Sequence, residues 1–323
     1  ALSVNDNVVD LVFRPGSQPG EPCRISPSPD TTFLRFINRT RTVEAGGSPT
    51  IRLYRALGEN VVHASGTLPV EGTRHVDSVT VHQPARWFVA LFHEALRERG
   101  IHVSGRLHTA NWLDRQTRPL DVRELVELGS APSRPMSELA ARMMKDSQNL
   151  YAQLLLLQVG ARSISRDRHP TTEAAGLAEL GEFLDEMGIA RSEVLLEEGS
   201  GLSRGALLTP DATVRLLSHM TRHPLADVFR DSLPVAGVDG TLGRRLAGTV
   251  AAGNVHAKTG ALRYVNTLSG YGRTTGGENL AFSLMLNNYR EPHPAHSGRN
   301  EIDALVVMLM EFAGRSRDAE GEP

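Results

Sequence analysis

HAKTGALRYVNTLSGYGR, residues 256–273, carries two signals. From Arg263 onward, apolar and polar residues alternate, which is the period of a strand with one face buried. The same alternation returns in NLAFSLMLNNY, with Leu280, Phe282, Leu284 and Leu286 on one side, and TTGGEN between the two runs supplies a hairpin turn. HAKTG then stands as the next strand out. The second signal is Lys258 itself: of 35 lysines and arginines together, only Lys145 and Lys258 are lysines. Arginine is a wide, permanently charged fork, whereas lysine is a compact ammonium whose pKa its surroundings can move. Lys258 is therefore either a leftover surface residue or a small cation that arginine cannot replace.

Outward from these strands the texture is helical. EIDALVVMLMEFAG predicts a terminal helix with Ile302, Leu305, Val306, Leu309 and Met310 turned inward. TPDATVRLLSHM carries Thr209 as cap, Pro210 as first helical residue and Asp211 in the first turn. TTEAAGLAELGEFLDEMG is a further helix, closed by Gly188. SELAARMMKDSQNLYAQLLLLQVG predicts a helix, a break near Asp146 and Ser147, and a second helix ending at Gly160. PARWFVALFHEALRERG starts at Pro84 and ends at Gly100, with Phe88, Leu91, Phe92 and Leu96 on one face. Before about residue 72 the chain is instead a series of short β-rich runs separated by turn residues: NVVDLVF, TTFLRFI, SPTIRLYRAL and NVVHASGTLP. Antiparallel strands with helices on their faces give an α+β class rather than a doubly wound parallel sheet. The expected domains are a β-rich one over 1–72 and a larger one over 73–315, with 316–323 a frayed tail.

Composition excludes several functions. A net charge of −2 and a pI near 6.7 give a nucleic-acid partner no electrostatic support. No apolar run approaches the roughly 20 residues that span a bilayer. Cys23 is alone, so neither an internal disulfide nor a cysteine metal cluster can form. No methionine and no charged-then-apolar leader stand at Ala1, and the expectation is that a targeting segment was removed or was never included.

Two short motifs carry chemistry. Ser147-Gln148-Asn149 sits at the break between two helices, and Lys258-Thr259-Gly260 opens a strand whose glycine lets a substrate backbone lie close. They match the Ser-x-Asn and Lys-Thr-Gly parts of the serine-lysine acyl-transfer set. Over MSELAARMMKDSQNLYAQLLL, EEGSGLSR, LPVAGVDGTLGRRL and HAKTGALRYVNTLSGYG, and more loosely over the β-rich start, the chain resembles the D-alanyl-D-alanine carboxypeptidase/endopeptidase group of low-molecular-mass penicillin-binding proteins. Gln148 stands where that group often has Asp, and Glu198 where Asp usually precedes Gly-Ser-Gly.

The resemblance implies a penicillin-binding-protein/β-lactamase-like fold with an inserted β-rich domain, and a serine peptidase acting on peptidoglycan stem peptides that end in D-Ala-D-Ala. β-Lactams are the implied ligands of the complete protein, the location is the periplasm or cell envelope, and no metal or organic cofactor is called for. Lys258 and Thr259 would hold the substrate's terminal carboxylate, and Gly260 would allow close approach. Ala261 N–H would meet the oxyanion, Ser147 would relay a proton to the departing D-alanine, and Asn149 would bond the stem backbone or steady the lysines. The Ser-x-x-Lys nucleophile motif is absent: Arg142 precedes Lys145 by three and Val255 precedes Lys258 by three. In the group that motif lies upstream of the β-rich insertion, so the expectation is a chain corresponding to the C-terminal part of such an enzyme. A non-catalytic relative that binds D-Ala-D-Ala ends is the alternative.

Other features have plainer readings. GSGLSRG resembles a dinucleotide-binding glycine turn, but Arg204 stands where the third glycine belongs, so a close-packed turn is expected. His293 and His296 read as a Pro-rich surface loop rather than metal ligands. Lys145 either closes a helix favourably or supports the site, and Asp239 is expected to be a turn residue.

Overall fold

The structure is a computed structural model describing residues 2–127, 129–291, 293 and 297–314. The expected tail at 316–323 and His296 lie outside the described residues, and His293 is exposed. The chain divides between residues 129 and 130 into two compact units.

In the first unit, β1 (Val8–Arg14) alternates, burying Val9, Leu11 and Phe13. It is flanked antiparallel by β2 (Arg24–Ser28) and, further along the chain, by a strand at His75–Thr80. A second sheet is built from β3 (Arg35–Val43), β4 (Arg52–Arg55) and β5 (Val61–Pro69), in which β5 lies between β3, parallel, and β4, antiparallel. Val62, Ala64 and Leu68 of β5 join the β1 residues in one core, which α1 (Pro84–Glu98) completes with Trp87. The unit thus runs past the boundary expected at residue 72, because β6 (His75–Thr80) pairs with β1 and Trp87 is fully buried in this core. The inward residue of α1 is Trp87, with Leu91 partly buried beside it, while Phe92, expected inside, is exposed and stacks on Phe88. β2 escaped the sequence reading because RISPS carries a proline and serines, which an edge strand tolerates. A short helix, α2 (Trp112–Thr117), follows.

The second unit opens with α3 (Met136–Lys145) and α4 (Asn149–Arg162), then α5 (Thr172–Glu186). Gly160 does not stop α4. It is buried inside the last turn, where a Cβ would run into the Thr172 carbonyl, and a Cβ on Gly176 would stand 2.5 Å from the Leu156 carbonyl. Two glycines therefore let α4 and α5 pack backbone to backbone. A two-stranded ladder, β7 (Val194–Leu195) with β8 (Leu207–Leu208), leads into α6 (Pro210–Met220) and α7 (Ala226–Ser232). The Thr171 hydroxyl caps α5, and the Thr209 hydroxyl caps α6 as expected.

The closing sheet is antiparallel in the order β11-β10-β9: β9 (His256–Leu262), β10 (Val265–Arg273) and β11 (Asn279–Asn287). Helix α8 (Gly298–Glu311) covers one face, since a Cβ on Gly272 would strike the Met310 sulfur. The opposite face meets α6, where Tyr271 Oη donates to the Leu217 carbonyl at 2.7 Å. Ile302, Val306 and Met310 of α8 are buried, whereas Leu305, expected inside, is about half exposed. The buried residues Ile302, Val306 and Met310 form a stripe spaced by four, and residue 305 falls off it.

Filling the α4–α5 contact tests this packing: Gly160→Ala should destabilise the protein by about 1–3 kcal/mol in urea unfolding, and an unchanged midpoint would contradict the close approach.

Candidate active site

Helix α3 ends at Lys145, and Gln148 N–H reaches back to the Met143 carbonyl at 2.9 Å. That bond closes a Schellman turn, whose penultimate residue must be left-handed and is usually glycine. Here it is Ser147, at φ 55°. A left-handed non-glycine costs about 1–2 kcal/mol and is retained where the surroundings over-determine it. The turn aims the Ser147 hydroxyl at the second motif: Lys258 Nζ donates to Ser147 Oγ at 2.7 Å and to the Thr259 carbonyl at 2.8 Å. The two motifs, 111 residues apart in sequence, thus share one site.

Lys258 stands on β9, the edge of its sheet among the described residues. The start of that edge is covered, because His256 bridges Val235 and Ala257 N–H donates to the Pro234 carbonyl at 2.9 Å. Thr259 Oγ1 donates to Thr241 Oγ1 at 2.8 Å. Gly260 is required by its neighbour on β10, since a Cβ there would collide with the Thr267 hydroxyl. Ala261 follows, exposed. Asn149 is the first residue of α4; it is exposed, and no hydrogen bond from its side chain to either lysine is present among the described residues. Its amide is open to solvent.

The segment 234–247 supports both motifs. Lys145 Nζ donates to Asp239 Oδ2 at 2.5 Å and to the Leu233 carbonyl at 3.1 Å, so it ties the end of α3 to this loop in addition to ending a helix. Asp239 also accepts from Val235 N–H at 2.9 Å. Burial opposes its ionisation, yet these bonds hold its carboxyl below the usual range. Gly240, at φ 55°, is pressed against the same helix end, where a Cβ would lie 2.7 Å from the Lys145 carbonyl oxygen. Arg245 forks onto Asp303 of α8 at 2.7 and 3.2 Å, anchoring the loop from behind. Thr241 and Arg245 were missed in the sequence; the only signal for them was the glycine spacing in GVDGTLG.

Glu198 closes the GSGLSRG turn by accepting from the N–H groups of Ser200, Leu202 and Ser203. Burial works against its charge, but these donors outweigh it and keep the carboxyl below its ordinary range. The N–H groups of Ser200, Leu202 and Ser203 are thus taken up by the turn's own carboxylate.

Burial pushes the Lys258 ammonium down to about 8. Among the described residues no carboxylate pairs with it; its bonded partners are a hydroxyl and a carbonyl. Such a cation attracts an external carboxylate, and near neutral pH it can return a proton to the hydroxyl it touches.

Residues 1–311 match the D-Ala-D-Ala carboxypeptidase 3 (S13) family. The D-alanyl-D-alanine carboxypeptidase of Actinomadura sp. (strain R39) is 34% identical over 312 residues, covering 95% of this chain and 55% of that protein. The D-alanyl-D-alanine carboxypeptidase DacB of Haemophilus influenzae is 26% identical over 297 residues, 90% of this chain and 58% of its own length. This chain therefore spans just over half of each. The crystal structure of penicillin binding protein 4 from Haemophilus influenzae shares the fold, with a TM-score of 0.70 and 22% identity over 96% of this chain and 67% of that one.

Two measurements test the site's electrostatics and strain. Reductive ¹³C-methylation of the two lysines should give one NMR signal titrating near pH 8, assigned to Lys258 by Lys258→Arg. Between about 8 and the ordinary 10.5 the unfolded state binds more protons, so stability should rise with pH across that window; a midpoint for Lys258 near 10.5 would refute its burial. Ser147→Gly should exceed Ser147→Ala in stability by about 1 kcal/mol, because both lack the hydroxyl and only glycine relieves the left-handed backbone.

Proposed function

The chain belongs to the D-Ala-D-Ala carboxypeptidase 3 (S13) family, and from that premise we propose that it forms the substrate-binding and proton-relay part of a serine-type D-Ala-D-Ala carboxypeptidase/endopeptidase. Its substrates are peptidoglycan stem peptides, which places its work in the cell envelope, and the acylated serine comes from outside residues 1–323. The observation that carries this reading is the Lys258 to Ser147 bond at 2.7 Å on the rim of an edge strand.

An edge strand offers unpaired backbone groups to an extended peptide, which adds as a further strand. With the substrate along β9, its terminal carboxylate meets the Lys258 ammonium and the Thr259 hydroxyl, which turns from Thr241 to donate to it. Asn149 bonds the peptide backbone from the α4 side. The nucleophilic serine gives its hydroxyl proton to a base that, like itself, lies outside residues 1–323, and its oxygen bonds to the penultimate D-alanine carbonyl carbon, whose oxygen becomes an anion facing Ala261 N–H. Collapse breaks the C–N bond, and the departing D-alanine amine takes the Ser147 proton while Lys258 replaces it. Water then hydrolyses the ester. A β-lactam presents a carboxylate and an acyl carbon in the same relation and would be captured at the ester stage.

The absence of Ser-x-x-Lys from residues 1–323 keeps a second reading, a non-catalytic D-Ala-D-Ala binder. Fluorescent penicillin separates the two. The complete gene product should take one label on a serine outside this chain, and Lys258→Arg should slow acylation about 10²-fold or more. Absence of label with retained D-Ala-D-Ala peptide binding selects the binder, and an adduct on a serine within 1–323 refutes the external nucleophile.

A further inference from the structure

The outer face of the β3-β5-β4 sheet in the first unit has a charge pattern that the proposed chemistry does not use. Alternation along β3 buries Thr40 and Thr42 and leaves Arg35, Arg39 and Arg41 exposed. Across the sheet, Arg39 and Arg52 both pair with Ser65, so they stand in one row. The adjacent row is Ile37, His63 and Tyr54, with the last two rings 6.0 Å apart. None of the three strands contains an aspartate or glutamate, and Arg35, Arg39, Arg41 and Arg52 have no carboxylate partner among the described residues. The other sheet of the unit, in contrast, carries Asp10 and Asp77. Four unpaired guanidinium groups on one small sheet are a strong local field in a chain of net charge −2.

We propose that this face docks an anionic glycopeptide polymer, namely the wall strands that carry the stem peptides, which rests on the activity proposed above. Charge complementarity and spacing argue for it. Neighbouring exposed positions along a strand are about 7 Å apart and strands two apart are about 10 Å apart, so the arginines form an extended lattice rather than one pocket. Such a lattice suits a repeating array of carboxylates, each taken bidentately by a guanidinium. The exposed Tyr54 ring, backed by His63, supplies a flat platform for a sugar ring between the charges. The consequence is retention of the enzyme on its polymer while the second unit acts on stem peptides.

Co-sedimentation of the complete gene product with insoluble peptidoglycan tests this. Arg39→Gln/Arg41→Gln/Arg52→Gln, all exposed, should weaken binding at least about tenfold, leave the thermal midpoint unchanged and leave hydrolysis of a short soluble D-Ala-D-Ala peptide unchanged. Raising salt should weaken wild-type binding, and amidating the polymer's carboxylates with carbodiimide should abolish the difference between wild type and variant. Tyr54→Ala should weaken binding without altering its salt dependence. Undiminished binding by the triple variant, wild-type binding to amidated polymer as tight as to native polymer, or stronger binding to phosphatidylglycerol vesicles than to peptidoglycan would overturn the proposal. Retained binding without any peptide hydrolysis would count against the proposed activity and leave this docking face standing.

Discussion

The 2.7 Å bond from Lys258 Nζ to Ser147 Oγ organises the second unit. For it to form, a helix must end in a left-handed serine, and a sheet edge must stop beside that helix end. A loop must also fill the space behind both. Each condition is met by a separate device: the Schellman turn at 146–148, the β9 edge, and the 234–247 segment pinned by Lys145 to Asp239 and Arg245 to Asp303. The strain at Ser147 is a local cost that these contacts offset, which is the usual way functional geometry is held.

Some of this was legible from residue order alone. The three closing strands, the capped helices α5 and α6 and the break at 146–147 follow from period and capping chemistry. The meeting of Ser147 with Lys258 came from motif resemblance, since periodicity says nothing about which helix end touches which strand edge. What stayed hidden were contacts made by the far ends of side chains. Asp239 reads as a turn residue and is one, yet its carboxylate holds Lys145. Gly160 reads as a helix end, although it and Gly176 are sites of backbone contact, which only the partner helix reveals. The first unit's extent was misread because β6 has charged and polar residues at alternate positions and pairs with a strand about 65 residues earlier.

Both lysines of the chain lie in this one region, and their environments divide their roles. Lys145 has a carboxylate partner in Asp239 and is a fixed cation that ties structure together. Lys258 is buried against neutral oxygens, so its charge is held loosely, near 8. A guanidinium would be poorly suited to either position. At 145 it would have to fit its plane between Asp239 and the Leu233 carbonyl, both already within 3.1 Å of a single nitrogen. At 258 it would keep its proton at any pH a cell meets, ending any proton return to Ser147.

The same contrast bears on Arg35, Arg39, Arg41 and Arg52 of the first unit. The docking proposed for the β3-β5-β4 face needs no loss of a proton; it needs permanent charge with directional donors, and side chains weakly hydrated enough to trade water for a carboxylate. A lysine lattice would carry equal charge, but each ammonium is a more strongly hydrated point without the fork. In the proposed scheme two kinds of cation are separated: movable protons where bonds are broken, and fixed charge where a long anionic strand is held. In that scheme, exchange of either kind for the other keeps the net charge of −2 and removes the property each position uses.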